Sequence, residues 1–152
     1  MSDAFPAIEE LVPHSGPMCL LSRVLAHTPD ETVCRVDPER STLFADELGR
    51  VPAWLGIEYM AQCVAAHGGL VARAHGEAPR PGLFLGSRRV EIRAADFEPG
   101  HALDVSVRHV RGTIGLTAFE GVVAHAAGGE PIVSGRLNVY VARDAAELGI
   151  PE

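Results

Sequence analysis

No stretch of the chain approaches the roughly 20 uninterrupted apolar residues of a membrane-spanning helix, which excludes a bilayer span. Positive charge is scarce: 13 basic residues stand against 20 acidic ones, for a formal net charge of -7. A nucleic-acid partner is therefore not expected, since a phosphate backbone calls for a basic footprint. The opening residues, Met1-Ser-Asp-Ala-Phe-Pro6, lack the basic stretch and apolar core of a secretory signal, so the expected location is the cytoplasm. Cysteine is limited to Cys19, Cys34 and Cys63, an odd number, widely spaced and set among apolar residues. They read as reduced core residues rather than a disulfide frame. No Cys or His pair has metal-ligand spacing, so no metal and no cofactor are expected.

What is present is an ordinary globular composition, 47% hydrophobic and 22% charged over 152 residues, which fits one domain over 1–152. Residues 7–11 suit a helical turn. Pro13-His-Ser-Gly-Pro17 breaks regularity, and the apolar run Met18–Leu21, continuing through Val24 and Leu25, suits a strand. Residues 31–37 place Thr32, Cys34 and Val36 on one parity, a second strand joined to the first by a hairpin through His27–Asp30. Residues 38–50 read as a polar loop.

A helix is expected from beside Pro52 to about Ala74, stopped by Gly76 and Pro79. From Ala53 to Ala72 its only charged side chain is Glu58. A helix apolar on nearly every side must be wrapped by other structure. Gly56, Gly68 and Gly69 suggest close approach of a neighbouring backbone, since each costs up to about 1 kcal/mol relative to Ala inside a helix. After Gly82 the period changes to two. Val90, Ile92 and Ala94, then Leu103, Val105 and Val107, and finally Leu137, Val139 and Val141 alternate with polar neighbours as half-buried strands. Residues 114–126 carry strand formers, and Gly128-Gly129 supplies a hairpin turn. The class is α+β, an antiparallel sheet curled around one long central helix.

An ionised carboxylate in such surroundings is costly unless paired or neutralised, which marks Glu58 for chemistry. The plainer alternative is a buried glutamate paired with an arginine to hold the fold.

This order of elements, with an acid on the helix, resembles the hotdog fold. Leu11-Val-Pro-His-Ser-Gly-Pro-Met-Cys-Leu-Leu-Ser-Arg-Val24 resembles the opening motif of 3-hydroxyacyl-carrier-protein dehydratases, and Glu58-Tyr-Met-Ala-Gln62 resembles their helical Glu-x-Met-Ala-Gln motif. Val51-Pro-Ala-Trp-Leu-Gly56 and Phe84-Leu-Gly-Ser-Arg88 are more similar to the dehydratase-like proteins of aryl polyene biosynthesis. The resemblance covers residues 8–142. It departs at one place: the family's Gly-His-Phe-Pro loop, whose histidine works opposite the partner subunit's helical glutamate, is replaced by Leu43-Phe-Ala-Asp-Glu-Leu-Gly49. The histidine's place falls on Phe44. Either another histidine substitutes, or activity is altered or absent.

The resemblance implies removal of water from a 3-hydroxyacyl thioester, as in fatty-acid-like or aryl polyene synthesis. That reaction needs a base for the C2 proton, an acid for the departing hydroxyl, and donors for the thioester oxygen. Glu58 is the expected proton-transfer group. His14, the histidine of the first motif, is the candidate replacement partner, although that motif is chiefly structural in related dehydratases. Gln62, four residues on, shares the face of Glu58 and either orients it or satisfies a neighbouring backbone group. Backbone N–H groups at Leu55 and Gly56 are candidate oxyanion donors. Trp54, Leu55 and Tyr59 either line an acyl tunnel or are simply core. His67 lies roughly 180° around the helix from Glu58 and should face away. His27, His75, His101, His109 and His125 carry no partner pattern. Arg80, Arg88, Arg89 and Arg93 either dock an acidic acyl carrier protein or form a solvated strand face, and alternation turns Arg88 inward. A homodimer with the site between protomers is expected, and a heteromer with a second dehydratase is admitted. The competing readings are a thioesterase of the same fold and a weakly active acyl-binding partner subunit.

Overall fold

The computed structural model describes residues 5–112 and 114–149. The elements are β1 (Arg23–His27), β2 (Glu31–Val36), β3 (Val51–Pro52), α1 (Gly56–Ala74), β4 (Gly82–Gly86), β5 (Val90–Ile92), β6 (Asp96–Phe97), β7 (Leu103–Arg111), β8 (Gly115–His125) and β9 (Val133–Val141). Seven strands form one antiparallel sheet in the order β1-β2-β7-β8-β9-β4, with β5 sharing the outer edge of β9. The short pair β3–β6 stands apart beside the helix entrance. Helix α1 packs on β1, β2, β7, β8 and β9, as expected for an apolar helix that needs a sheet around it.

Alternation placed the long strands correctly. Thr32, Cys34 and Val36, then Leu103, Val105 and Val107, all face the helix with exposures of 3% or less. It failed at the edge: β5 ends at Ile92, which is exposed, because the strand has a neighbour on one side only. The first strand also begins later than its apolar run. Residues 16–18 make a 3-10 turn and 19–22 have no regular structure, although Cys19, Leu20 and Leu21 are buried. Their backbone groups bond elsewhere: Leu20 N–H donates to Gln62, and the Met18 carbonyl accepts from it. Residues 38–44 are 3-10 turns rather than plain loop, and Ala53–Leu55 adds one such turn ahead of α1.

The three helix glycines have different causes. A Cβ on Gly69 would lie 3.1 Å from the Leu11 carbonyl oxygen, a true backbone approach. One on Gly56 would meet the Val133 and Phe97 side chains at 2.9 and 3.2 Å. Gly68 faces open space, so the close approach expected there is absent.

His67 faces the core, 5% exposed, away from Glu58 as the helical rotation requires. Its Nδ1 lies 2.8 Å from the Thr32 hydroxyl, and His27 Nδ1 lies 2.8 Å from the same oxygen. A hydroxyl has a single proton, so one neutral ring accepts from Thr32 while the other donates to it. The two imidazoles thus take opposite tautomers. Cys34 and Cys63 are free thiols with their sulfurs 3.6 Å apart, and burial pushes the Cys63 thiol well above its usual range.

Burial, followed by repulsion from His27 and His109, lowers the His67 pKa to about 4. The unfolded chain takes up this proton near pH 6.5 while the native one does not, so stability falls as pH drops from about 6.5 to 4. Urea denaturation should show up to roughly 3 kcal/mol lost across that window. A His67→Leu variant, less stable at neutral pH, should show a shallower acid slope; an unchanged slope would clear His67 of responsibility.

Candidate functional site

Glu58 sits in the first turn of α1, where the unpaired N–H groups of the helix start favour a carboxylate. Its Oε2 lies 3.1 Å from His14 Nε2 and accepts a hydrogen bond of 3.0 Å from Gln62 Nε2. Both contacts fall on one oxygen. Oε1 has no protein partner among the described residues. No arginine pairs with Glu58 there either, which disposes of the fold-holding ion pair.

His14 is held between Pro13 and a 3-10 turn that starts at Gly16, whose φ of +57° suits a residue without a Cβ. His14 Nδ1 is buried and has no partner among the described residues. A neutral ring donating Nε2–H to Glu58 leaves that nitrogen as a bare acceptor, the cheaper atom to orphan than an N–H. Gln62 is fully buried and serves both functions weighed for it. It orients the carboxylate, and it bonds Met18 and Leu20 at 2.8 and 3.0 Å.

The other expected residues divide. Tyr59, 1% exposed, stacks on Phe97 and shares a 2.5 Å hydrogen bond with Ser41. Burial raises its pKa. It lines a cavity of about 340 Å³ with Ser41, Val51, Phe97 and Leu103. Leu55 is buried in the core, and Trp54 is 56% exposed, so the three do not make one tunnel wall. The Gly56 N–H is committed to the Ala53 and Trp54 carbonyls, so its use as an oxyanion donor would require breaking that turn. Its missing side chain makes room for Val133 and Phe97, not for substrate. Glu58 itself is not in an enclosed hollow. Its side chain is 35% exposed, and the cavity opens on Tyr59, one residue and about 100° further round the helix.

Arg88 is exposed, not inward: it lies in a bend between β4 and β5, outside either strand, so the alternation of Val90 and Ile92 does not extend to it. Arg80 is also exposed. Arg89 and Arg93 share Glu91 at 3.4 and 2.7 Å, which halves their joint charge. Phe44 is half-buried against the core at the place the loop histidine would take. Ser41, the buried partner of Tyr59, gave no signal within a polar stretch of sequence.

Comparison with known proteins shows the family and the fold. The family model described as ApeP dehydratase, ApeP-like, matches residues 6–149. The 3-hydroxyacyl-acyl-carrier-protein dehydratase FabZ of Oleidesulfovibrio alaskensis is 31% identical over 115 residues, covering 73% of this chain and 74% of that protein. The dehydratase heterocomplex ApeI:P from Xenorhabdus doucetiae superposes with a TM-score of 0.86 at 27% identity, covering 95% of this chain and 96% of that one. Zebra fish thioesterase superfamily member 2 matches with a TM-score of 0.60 at 14% identity, covering 86% of this chain and 88% of that one, a likeness of fold alone.

Replacing Gln62 by Leu removes the bond to Glu58, strands the buried Leu20 N–H and unpairs the half-buried Met18 carbonyl, so chemical denaturation should show a loss of about 2–4 kcal/mol. A loss below about 0.5 kcal/mol would mean that the amide is not holding these segments together.

Proposed function

The chain belongs to the ApeP-like dehydratase family, and from that premise we propose that it removes water from 3-hydroxyacyl thioesters carried on acyl carrier protein. The C2 proton leaves to a base, the C3 hydroxyl departs as water after protonation, and a 2-enoyl thioester remains. The observation that carries the reading is the His14–Glu58–Gln62 cluster, with 3.1 and 3.0 Å contacts converging on one carboxylate oxygen. Glu58 exchanges protons with the substrate through its uncommitted oxygen. His14 takes or returns a proton at its Nε2, and Gln62 fixes the direction of the carboxylate. The partly open position of Glu58 suits a site completed by a second chain.

The edge formed by β4 and β5 supports such an assembly. Leu83, Phe84, Leu85 and Ile92 are each more than 40% exposed there, on strands that lack an outer neighbour among the described residues. Pairing with another protomer would cover them and bring a second surface against Glu58. Arg80 and Arg88, exposed near the same edge, are the residues left to meet an acidic carrier protein. The free cysteines suit the reducing cytoplasm as the place of action.

A second reading, a partner subunit in a heteromeric dehydratase, is favoured by Phe44 in the histidine's place and by the likeness to a dehydratase heterocomplex. The homodimer and the heteromer differ in where the missing proton-transfer group comes from.

Offering the purified chain 3-hydroxyacyl and plain acyl thioesters of carrier protein, with mass spectrometry of the products, tests these readings together. Enoyl thioester is expected, and His14→Ala should lower its rate about 100-fold or more. Turnover that appears only with a second, histidine-bearing dehydratase supports the heteromer. Release of free thiol from the plain acyl thioester, without enoyl product, would establish a thioesterase instead.

A further inference from the structure

Glu98 and His101 line the 340 Å³ cavity, and His125 stands beside them, so that three potential ligands converge. One ligand atom from each lies within 4.8 Å of the other two. We propose that these residues form a binding site for a single divalent cation of the zinc type, which ties the β6–β7 turn to the end of β8.

The backbone explains why they meet. Glu98-Pro-Gly-His101 is a β-turn in which proline fixes φ at the second position and Gly100 supplies φ +76° at the third, the requirements of a type II turn. The His101 N–H closes it on the Glu98 carbonyl at 3.4 Å. The two corner side chains therefore stand side by side, with His101 Nε2 3.3 Å from Glu98 Oε2. His125, the last residue of β8, pairs in register with Leu103, and Ala126 N–H bonds Ala102 beyond it. His101 stands two positions before Leu103, where the turn ends, and so lies beside His125, the cross-strand partner of Leu103. The two rings are 5.3 Å apart between centroids.

These separations suit the ion. Tetrahedral zinc with bonds near 2.0–2.1 Å holds its ligand atoms about 3.4 Å apart. The Glu98–His101 distance of 3.3 Å already has that length, and His125 stands within 4.8 Å of both ligand atoms. Two imidazoles and one carboxylate favour zinc, nickel or copper over magnesium or calcium, whose sites are built from oxygen. Glu98 and His101 are exposed, which leaves a coordination position for water. Among the described residues no arginine pairs with Glu98, so no fixed positive charge competes for its carboxylate. Ligand spacing along the sequence did not reveal the site, because the third ligand arrives from a strand 24 residues after His101. Without an ion, the same groups are a surface hydrogen bond and a ring contact, and experiment separates the two.

Titrating ZnCl2 by calorimetry into the chelator-treated chain, freed of any histidine tag, should show one saturable ion per chain. Magnesium chloride should give no binding. His101→Ala and His125→Ala should each weaken zinc at least tenfold, and zinc should raise the melting temperature of the wild type but not of these variants. Circular dichroism checks their fold, and the isosteric Glu98→Gln, at an exposed position, supplies the same test should His125→Ala misfold. No saturable zinc binding by the wild type, or full binding retained by the folded variants, would overturn the site. Glu58 and His14 are untouched in every variant, so a failure here leaves the dehydratase reading standing, and the reverse holds as well.

Discussion

A primary amide with no exposed surface must find its partners inside the protein, and Gln62 finds them in three directions at once. Its oxygen accepts from Leu20 N–H; its nitrogen donates to the Met18 carbonyl and to Glu58. One side chain on α1 thereby replaces part of a strand ladder for residues 18–20 and aims the only carboxylate of the helix. The segment so held begins with the His14 loop, which places the imidazole on the same carboxylate oxygen. Stability and chemistry share this single point, because releasing the amide would both unpair buried backbone and free the acid.

Around that point the helix start is shaped by close contacts. Gly56 lets Val133 and Phe97 pack tightly, and Phe97 in turn stacks on Tyr59, whose hydroxyl is held by Ser41. The result is two adjoining surfaces separated by one step of helical rotation: a largely apolar, open-mouthed cavity at Tyr59 and a solvent-reaching acid at Glu58. An acyl chain and its thioester need both kinds of surface. In the single chain they are adjacent but not one compartment, and the exposed apolar edge of β4 and β5 has no outer strand among the described residues.

Much of this was legible in the residues themselves. The period-two runs fixed the long central strands, and a 19-residue apolar helix could only be central. The motif Glu58-Tyr-Met-Ala-Gln62, with His14 upstream, pointed to three side chains that do meet. What escaped were features decided by tertiary contacts. The apolar run Met18–Leu21 is not a strand, and a side-chain amide, that of Gln62, takes the hydrogen bonds of the Met18 carbonyl and the Leu20 N–H. Arg88 is not inward because it lies in a bend between β4 and β5. Glu58 is 35% exposed and not enclosed, because the cavity opens on its neighbour Tyr59 instead, a placement that the helix pattern alone does not set. The contact of Ser41 with Tyr59 and the arrival of His125 beside Glu98 and His101 join residues distant in sequence, and no local spacing announces them.

The central claim is that Glu58, oriented by Gln62 and in contact with His14, moves the proton in dehydration. Glu58→Gln keeps the size and hydrogen bonding of the side chain while removing its acid. With the fold verified by circular dichroism, single-turnover conversion of a 3-hydroxyacyl carrier-protein thioester should slow by about 100-fold or more. Conversion at the wild-type rate would contradict the claim outright.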